Sequence, residues 1–579
     1  MDPEEKDACY FLQLPEELIG LILKKMELKE IVTLGQTCKS FYSLIYNDHL
    51  LWKNRCLETL PDQIHKTVET YCRGNWLKEL KKFTIIKKAV EAKLMLMSPK
   101  FCWRINQITL DDIKDFFIIA AETERSYFYT ISVLQNTVQI AQRKLEKNKG
   151  EKPFTLTDIY YAKIILQYLM HTFLAIKWVK KHMQQQLRPE IVVNFFAQWV
   201  DPANFYFDEN VDEMLTDIVE EVKDAIRAAR AIKPPPPGWK KVTDREVLTA
   251  MSKVLVQQRH IAITTSADLA SLSIVKALKN KCSNGIVLAA IWQAVARKCG
   301  VKLELIAFPN HLFLEWMDDY DEKNVRWYTI SMSTGELIPK RRCPFSQTNA
   351  RSNYSYCPDS LLQYVYSSFL LTMGAIRNWH TQNALFMLNF LGTNQNDQNP
   401  YKNFFQYLIE DGELCTTNLP IDIKYLKKVY RNSILSLSTL NKPTETASHD
   451  VVVKKHSSNV LYAVGMVCYH KRFDYICIVR GWDLNGDHLE TVNDLFFGRK
   501  QPFYRVTAAD QSERYVAQEN LTEVLRPSRI YHLEPQISKE FSHFDGFAYV
   551  LNDEKKVQYP DEEAIIEVHR NKALCKRDY

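Results

Sequence analysis

Apolar side chains near the N-terminus recur at the three- and four-residue spacing that is typical of helices. Three such patterns follow one another between Leu14 and Trp52. The first begins at Pro15, which a helix tolerates in its first turn because the missing N–H would have no partner there. Helices this short enclose little interior between them. We therefore expect one set of their apolar side chains to face another protein.

Beyond this stretch, the same spacing predicts a helical region over 57–231 and a second one over 358–440. Between them, over 243–340, helical patterns give way to runs in which apolar and polar residues alternate, which is typical of strands. From 460 to 560, short strand-like runs separated by turns predict a small antiparallel β-barrel. The predicted fold class is a multi-domain chain, mainly α with an α+β part.

The composition of the chain mostly argues against particular classes of function. The 579 residues carry a net charge of +6, which is too balanced to indicate a nucleic-acid binder by itself. No run approaches the roughly 18 apolar residues of a membrane span, and the acidic N-terminus lacks the pattern of a signal peptide. The 13 cysteines include no CxxC pair, so we expect no metal, no cofactor and no disulfide framework. Reduced thiols favour the cytoplasm or the nucleus.

The N-terminal stretch 10–56 resembles an F-box. The resemblance implies docking onto the small adaptor subunit of a cullin-RING ubiquitin ligase, and through it onto a cullin. The alternative is an ordinary helical hairpin at the start of a larger domain. The resemblance rests on Leu14-Pro15, Ile22, Leu28, Ile31, Leu34, Cys38 and Trp52. The residues expected to contact the adaptor are Leu14, Pro15, Leu18, Ile22, Leu28, Ile31, Leu34 and Trp52.

The region 243–340 resembles the transglutaminase-like fold, in the branch of the bacterial SirB-type proteins. The resemblance implies that active relatives use a cysteine at a helix N-terminus, a histidine base on a strand and an aspartate on the next strand. A neighbouring base is needed because a thiol is mostly protonated near neutral pH. The segment 358–440 resembles the tetratricopeptide-like tail of the same family. The matching pieces are Ala296 to Val301, Phe308 to His311, and Gly335.

Most of this catalytic trio is missing from the chain. The nucleophile position falls near Gly285 and the aspartate position near Ile330, whereas His311 stands at the position of the base. We expect no catalytic residue here and regard His311 as the remnant of a degenerate triad in a binding platform. The alternative is a residual thiol enzyme in which Cys282 serves as a displaced nucleophile.

The C-terminal region 460–560 contains pieces that resemble a YccV-type domain, a family named for binding hemimethylated DNA in bacteria. Acidic residues alternate with the basic ones, so we expect a protein or degron as the ligand ahead of DNA. The candidate substrate-binding residues are Trp482, Phe503 and Tyr504, whose alternative role is core packing. The pieces are Val464-Gly465, His470 to Phe473, Gly481 to Asp483, Gln501 to Tyr504, and Glu519 to Leu521.

The order of these three regions implies a non-catalytic substrate-recognition subunit of an F-box-containing ubiquitin ligase. Such a subunit acts by proximity, because it raises the effective concentration of substrate lysines near a charged ubiquitin carrier. Its expected partners are the adaptor, a cullin and protein substrates, with no membrane. The alternatives are a DNA-binding regulator that acts through the C-terminal region and the thiol enzyme.

Overall fold

The computed structural model describes residues 14–60, 64–104, 108, 111–142, 155–204, 208–232, 234, 241–308, 311–318, 326–339, 357–373, 379–381, 383–384, 451–486 and 495–575. These residues fall into two compact units, 1–154 and 155–579. Most of the predicted helical segment 358–440, and with it the tetratricopeptide-like prediction, lies outside the described residues.

The described residues of the first unit are helical, with a short 3₁₀ turn at Asp111–Ile113. The four helices α1 to α4 form the F-box-like segment, and α6 packs against α4 and α9. The helices are α1 Glu16–Lys25, α2 Leu28–Gly35, α3 Lys39–Tyr46, α4 His49–Thr59, α5 His65–Cys72, α6 Trp76–Met95, α7 Met97–Phe101, α8 Lys114–Ala120 and α9 Glu124–Gln142.

The F-box-like segment has four helices instead of the three that its periodicity predicts. The third predicted helix is interrupted at Asn47 and Asp48, and α4 starts afresh behind them. The Asp48 carboxylate accepts a hydrogen bond from the backbone N–H of Leu51 at 2.9 Å, which makes Asp48 an N-cap. Capping residues of this kind begin a new helix without disturbing the apolar spacing.

The second unit combines helices with four small sheets. Its helices are α10 Leu156–Met183, α11 Pro189–Val200, α12 Asp208–Ile232, α13 Asp244–Ser252, α14 Ile274–Asn280, α15 Gly285–Lys298, α16 Pro358–Met373, α17 Glu534–Ile537, α18 Asp553–Gln558 and α19 Glu562–Cys575. Its strands are β1 Ala262–Thr264, β2 Cys282–Asn284, β3 Glu304–Phe308, β4 His311–Asp318, β5 Arg326–Ile330, β6 Leu337–Pro339, β7 Val467–His470, β8 Tyr475–Asp483, β9 Phe503–Ala508, β10 Glu513–Ala517, β11 Leu521–Glu523, β12 Phe541–Phe544 and β13 Tyr549–Leu551.

The transglutaminase-like region is organised around α15, which is buried along most of its length. It packs against α11, α12 and α13 as well as against β4. The sheet beside it is antiparallel in the order β3-β4-β5-β6, and a short parallel pair, β1-β2, leads into the helix. The sequence of this region predicts a helix over 286–299 and strands over 301–307, 311–316 and 326–330. The structure confirms each of them within a few residues as α15, β3, β4 and β5.

The C-terminal sheet is open, which corrects the predicted barrel. Its strand order is β10-β9-β8-β7-β11, and no ladder joins the two edges among the described strands. The edge strands β10 and β11 follow each other in sequence through a 3₁₀ turn at Gln518–Asn520. This turn carries the chain from one edge to the other, and β11 has only three residues with which to pair.

Among the strand-like runs of this region, the sequence predicts one strand over 462–467. The structure corrects this prediction, because β7 begins only at Val467. Gly465 has a φ of +96°, which interrupts an extended run. Its carbonyl accepts a hydrogen bond from Tyr549 at 2.9 Å, and a Cβ at this position would lie 2.1 Å from the Tyr549 carbonyl oxygen. Only glycine allows this close approach between the segment before β7 and the β12-β13 pair.

A membrane-spanning helix and a metal site are two features that the sequence does not predict. None of the described helices is both long and apolar enough to cross a membrane. Within the same ranges, no group of three or more His, Cys, Asp or Glu side chains is arranged to hold a metal ion.

Candidate functional site

One side of α1 presents apolar side chains to solvent. Leu18 is 46% exposed and Leu21 57%, and Leu14 and Ile22 are exposed beside them. On the opposite side of the helix, Ile19 and Leu23 are buried. We call the exposed set, Leu14, Leu18, Leu21 and Ile22, the α1 apolar face. An apolar surface of this kind is typical of a contact with another protein.

The predicted adaptor contacts divide into two groups in the structure. Pro15 is exposed at the start of the α1 apolar face, and Leu28 and Leu34 are half-buried. In contrast, Ile31 and Trp52 lie in the core, where the Trp52 Nε1 donates a hydrogen bond to the Ile45 carbonyl at 2.8 Å. As a correction, these two side chains hold the helices together and do not belong to the exposed surface.

Arg55 fixes the position of α1 from the neighbouring helix α4. Its guanidinium donates hydrogen bonds to the carbonyl oxygens of Leu23 at 2.8 Å and of Met26 at 2.5 Å. Carbonyl groups at the end of a helix have no intrahelical partners, and a cation also suits the negative end of the helix dipole. Arg55 therefore orients the α1 apolar face. Sequence reasoning missed Arg55, whereas Leu21 could have been found from its spacing to Leu18.

A glycine at the start of a helix occupies the position that corresponds to the catalytic cysteine. Gly285 is the first residue of α15, and a Cβ added there would meet no atom within 4 Å. The aspartate position holds Ile330, which is buried and pairs with Leu314 in the sheet. His311 begins β4 and pairs with Phe308, but its side chain lies outside the described set. Neither Gly285 nor Ile330 can supply the chemistry of a thiol site.

Cys282 does not occupy the helix start either. It is half-buried on β2, where it pairs with Ala262. Behind it, the Asn284 side chain accepts a hydrogen bond from the Ile286 N–H at 2.9 Å and so caps α15. A thiolate gains stability when it faces free N–H groups at a helix N-terminus. Here the side-chain oxygen of Asn284 already accepts a hydrogen bond from one of these N–H groups, that of Ile286.

The three candidate substrate-binding residues of the C-terminal sheet are all buried. Trp482 donates a hydrogen bond to the Glu562 carboxylate at 2.8 Å, and Phe503 stacks on Tyr515 with ring centroids 5.3 Å apart. The Tyr504 hydroxyl donates to the Gln518 side chain at 2.6 Å. As a correction, these side chains build the core of the sheet, which is the alternative role that their sequence context allowed.

A different aromatic pair is exposed in this region. Phe496 is 90% exposed and Phe497 is also exposed, with ring centroids 4.9 Å apart and nearly perpendicular planes. The two carboxylate oxygens of Glu519 accept hydrogen bonds from the backbone N–H groups of these residues at 2.8 and 3.0 Å. The loop is therefore held in place while it presents two rings to solvent. Sequence reasoning missed it, although Phe-Phe-Gly before a basic pair is unusual for a solvated turn.

Several basic residues of the C-terminal sheet are neutralised by neighbouring carboxylates. Arg480 contacts Glu540 at 2.9 Å and also Glu513, and Lys454 contacts Asp483 at 2.5 Å. Binding to phosphates normally requires a concentrated positive surface. These pairs weaken the DNA-binding alternative.

Three parts of the chain match known families. Residues 11–58 match the family described as F-box-like, and residues 209–355 match the transglutaminase-like superfamily. Residues 460–548 match the family described as hemimethylated DNA-binding protein YccV like. The first match spans α1 to α4, and the second contains Gly285, His311 and Ile330. The third contains all five strands of the C-terminal sheet.

Whole proteins are also similar to the chain. F-box only protein 21 of Homo sapiens is 23% identical over 100% of this chain and 96% of its own length. The Mus musculus protein of the same name is 24% identical over 98% of this chain and 95% of its own length. The chain resembles F-box only protein 21 from end to end. No solved structure matches it.

This resemblance supports a substrate-recognition F-box role at a coarse level, and a receptor more than an enzyme. The transglutaminase-like match does not establish catalysis by itself, and the geometry at Gly285 and Ile330 agrees with that view. The C-terminal helix α19 lies beyond the YccV-like match, yet its Glu562 is bonded to Trp482 within the sheet. The sheet of this chain therefore depends on a helix that the matched family segment does not include.

Two histidines connect α19 to the segment before the sheet. His456 contacts the Glu562 carboxylate at 3.3 Å and the Val460 carbonyl at 2.9 Å. His569 contacts the Glu523 carboxylate at 2.6 Å and the Leu461 carbonyl at 2.9 Å. Both partners of His456 are acceptors, so its imidazole satisfies both contacts only when both ring nitrogens carry a proton.

We expect the contribution of His456 to the stability of the second unit to decrease as the pH rises from about pH 6 to about pH 8. Burial alone would lower the pKa of His456, but the hydrogen bond and the charge of Glu562 outweigh burial and raise it. A raised pKa stabilises the folded state fully below the ordinary histidine range, and this contribution is lost as the pH passes through the folded-state pKa. The thermal unfolding midpoint of His456→Asn should therefore lie further below that of the wild type at the lower pH, by a few degrees.

Because asparagine does not titrate, the difference between the wild type and His456→Asn isolates this contribution. His543→Asn is a matched control, because His543 is exposed and its ring contacts the hydroxyl of its neighbour Ser542. If the unfolding midpoint of His456→Asn varied with pH as that of the wild type does, the titrating proton would reside on another group.

Proposed function

We propose that the chain is the substrate-recognition subunit of a cullin-RING ubiquitin ligase. Its α1 apolar face docks on the adaptor subunit, which connects the chain to a cullin. The observation that carries this proposal is the exposure of Leu14, Leu18, Leu21 and Ile22 on one helix of an F-box-like segment. The second unit holds the substrate, and the complex works in the cytoplasm or the nucleus.

The chain contributes position and the partner contributes chemistry. Binding the substrate and the ligase together makes ubiquitin transfer effectively intramolecular, which raises the local concentration of the reacting lysine. The receptor itself then needs no nucleophile, in agreement with the glycine at position 285 and the buried isoleucine at position 330. The exposed pair Phe496 and Phe497 is one surface on which a substrate can dock.

Reconstitution with purified components tests this function. The intact chain is mixed with the adaptor, a cullin, the RING subunit, the ubiquitin-activating and ubiquitin-conjugating enzymes, and ubiquitin. We expect ubiquitin to be attached to the chain itself or to a bound protein only when the adaptor is present. Transfer at the same rate without the adaptor would contradict the proposal.

The variant Cys282→Ala should leave ubiquitin transfer in this assay unchanged. Cys282 is half-buried on β2, and neither Gly285 nor Ile330 offers a catalytic partner. The conservative variant Cys282→Ser serves as a control for packing. A loss of transfer in both variants, with adaptor binding intact, would support the thiol enzyme instead.

A further inference from the structure

We propose that a cleft in the second unit binds an acidic peptide segment of the substrate protein; its assignment to a substrate rests on the function proposed above. The cleft has a volume of about 640 Å³. It lies where the C-terminal end of α15 meets the end of α10 and the beginnings of α11 and α16. This volume falls within the range in which proteins bind small ligands and peptide side chains.

The charge of the cleft favours an acidic ligand. Its lining includes His182, Arg188, Arg297 and Lys302, and no acidic side chain lines it within the described ranges. Three of these side chains have a carboxylate partner: Glu190 lies 2.6 Å from Arg297, Glu304 lies 3.5 Å from Lys302, and Asp359 lies 3.7 Å from His182. For Arg188, by contrast, no ion pair is found within the described part of the chain. Carboxylates that enter the cleft would therefore meet positive charge that is not fully compensated.

A buried acceptor in the same cleft distinguishes a peptide from a simple anion. The Gln293 side chain donates to the Leu303 carbonyl at 3.1 Å, but its Oε1 is buried and has no hydrogen-bond partner within the described residues. A buried acceptor without a partner costs free energy, and an N–H donor from a ligand would remove that cost. A peptide brings backbone N–H groups together with carboxylates, whereas a fully ionised small anion brings only acceptors.

The remaining walls of the cleft are apolar, so the ligand should carry apolar residues between its acidic ones. These walls are formed by Leu187, Pro189, Val301, Leu303 and Pro358. The cleft is also distinct from the degenerate catalytic position. It adjoins α15 from Gln293 to Arg297, whereas Gly285 begins that helix about 12 to 18 Å away at the usual rise per residue.

Selection of short random peptides on the intact chain tests the proposal. One selection uses the wild-type protein, and a parallel one uses the double variant Arg188→Glu with Lys302→Glu. Both side chains are exposed, so the variant is expected to fold. We expect peptides recovered on the wild type to be enriched in aspartate and glutamate next to apolar residues, relative to those recovered on the variant. No such enrichment would overturn the proposal.

The strongest wild-type peptide is then synthesised and its affinity measured. We expect the double variant to weaken its binding by about tenfold or more, and high salt to weaken it as well. The matched control is Lys253→Glu with Arg526→Glu, which makes the same charge change at exposed positions outside the cleft lining and should leave binding unchanged. Equal weakening in both double variants would indicate a non-specific charge effect and overturn the site.

Two further measurements identify the ligand class. Gln293→Leu removes the buried acceptor and should weaken the peptide more than succinate, the probe for a simple anion. If succinate binds as tightly as the peptide, the cleft is a small-anion site and the peptide proposal is wrong. Adaptor binding is measured on the same preparations. If the wild type binds the adaptor but selects no acidic peptides, the cleft proposal alone is wrong. If the wild type does not bind the adaptor, the receptor function is wrong, and with it the assignment of the cleft to a substrate.

Discussion

Replacing Leu18 and Ile22 together with aspartate is expected to weaken adaptor binding by at least about 100-fold. Both side chains are exposed on the α1 apolar face and do not support the core. In the complex they would be buried, so each substitution removes apolar contact and places an unpaired charge in an apolar interface. Isothermal titration of the intact chain with the purified adaptor measures the effect.

The matched control introduces the same chemistry elsewhere in the first unit. Ile85 and Met95 are exposed on α6, so Ile85→Asp with Met95→Asp should retain adaptor affinity within about a factor of two. Thermal unfolding of the two double variants should be similar. If Leu18→Asp with Ile22→Asp binds normally, the adaptor docks on a different surface.

Replacing Glu562 with alanine is expected to destabilise the C-terminal sheet by about 3–5 kcal/mol. Glu562 is almost fully buried, and its carboxylate accepts hydrogen bonds from the Val464 N–H at 2.6 Å and the Trp482 Nε1 at 2.8 Å, besides its contact with His456. Removing the carboxylate leaves these buried donors without a partner. Hydrogen exchange in β8 and at Val464 should become faster by orders of magnitude.

Glu563 provides the control for this experiment, because it is the next residue and its side chain is 60% exposed. Its only described ion pair, with Lys556, lies at the surface, so Glu563→Ala should change stability by less than about 1 kcal/mol. Similar exchange rates in the two variants would show that the buried carboxylate contributes little to the sheet.

Local patterns in the sequence predicted the helices of the first unit well, but they did not predict the contacts between these helices. The apolar spacing over Leu14 to Trp52 indicated helices and an exposed apolar set, both of which the structure shows. The pattern did not separate α3 from α4, because the break depends on the Asp48 cap and not on apolar spacing. Nor could it assign Arg55, whose partners lie about thirty residues earlier in the chain.

The C-terminal sheet shows the same limit on a larger scale. Short strand-like runs separated by turns located β8, β9 and β10. Whether the strands close into a barrel depends on pairing between distant residues, and here the edges remain unpaired among the described strands. The burial of Trp482 depends partly on Glu562, which lies 80 residues further along, so no local signal distinguished a core residue from a ligand contact.

The positive charge of the cleft could not be predicted from the sequence, for a related reason. His182, Arg188, Arg297 and Lys302 stand far apart in the chain and come together only where four helices meet. Each of them looks like an ordinary surface cation in its own segment. The degenerate triad, in contrast, could be judged from sequence, because Gly285 and Ile330 lack reactive groups whatever their surroundings.

The central claim, that the chain gains its activity by docking on an adaptor, is tested most directly by mixing the two purified proteins. Size-exclusion chromatography with light scattering measures the mass of whatever forms. The α1 apolar face predicts a complex whose mass is the sum of one chain and one adaptor. Separate elution of the two proteins at micromolar concentrations would contradict the account.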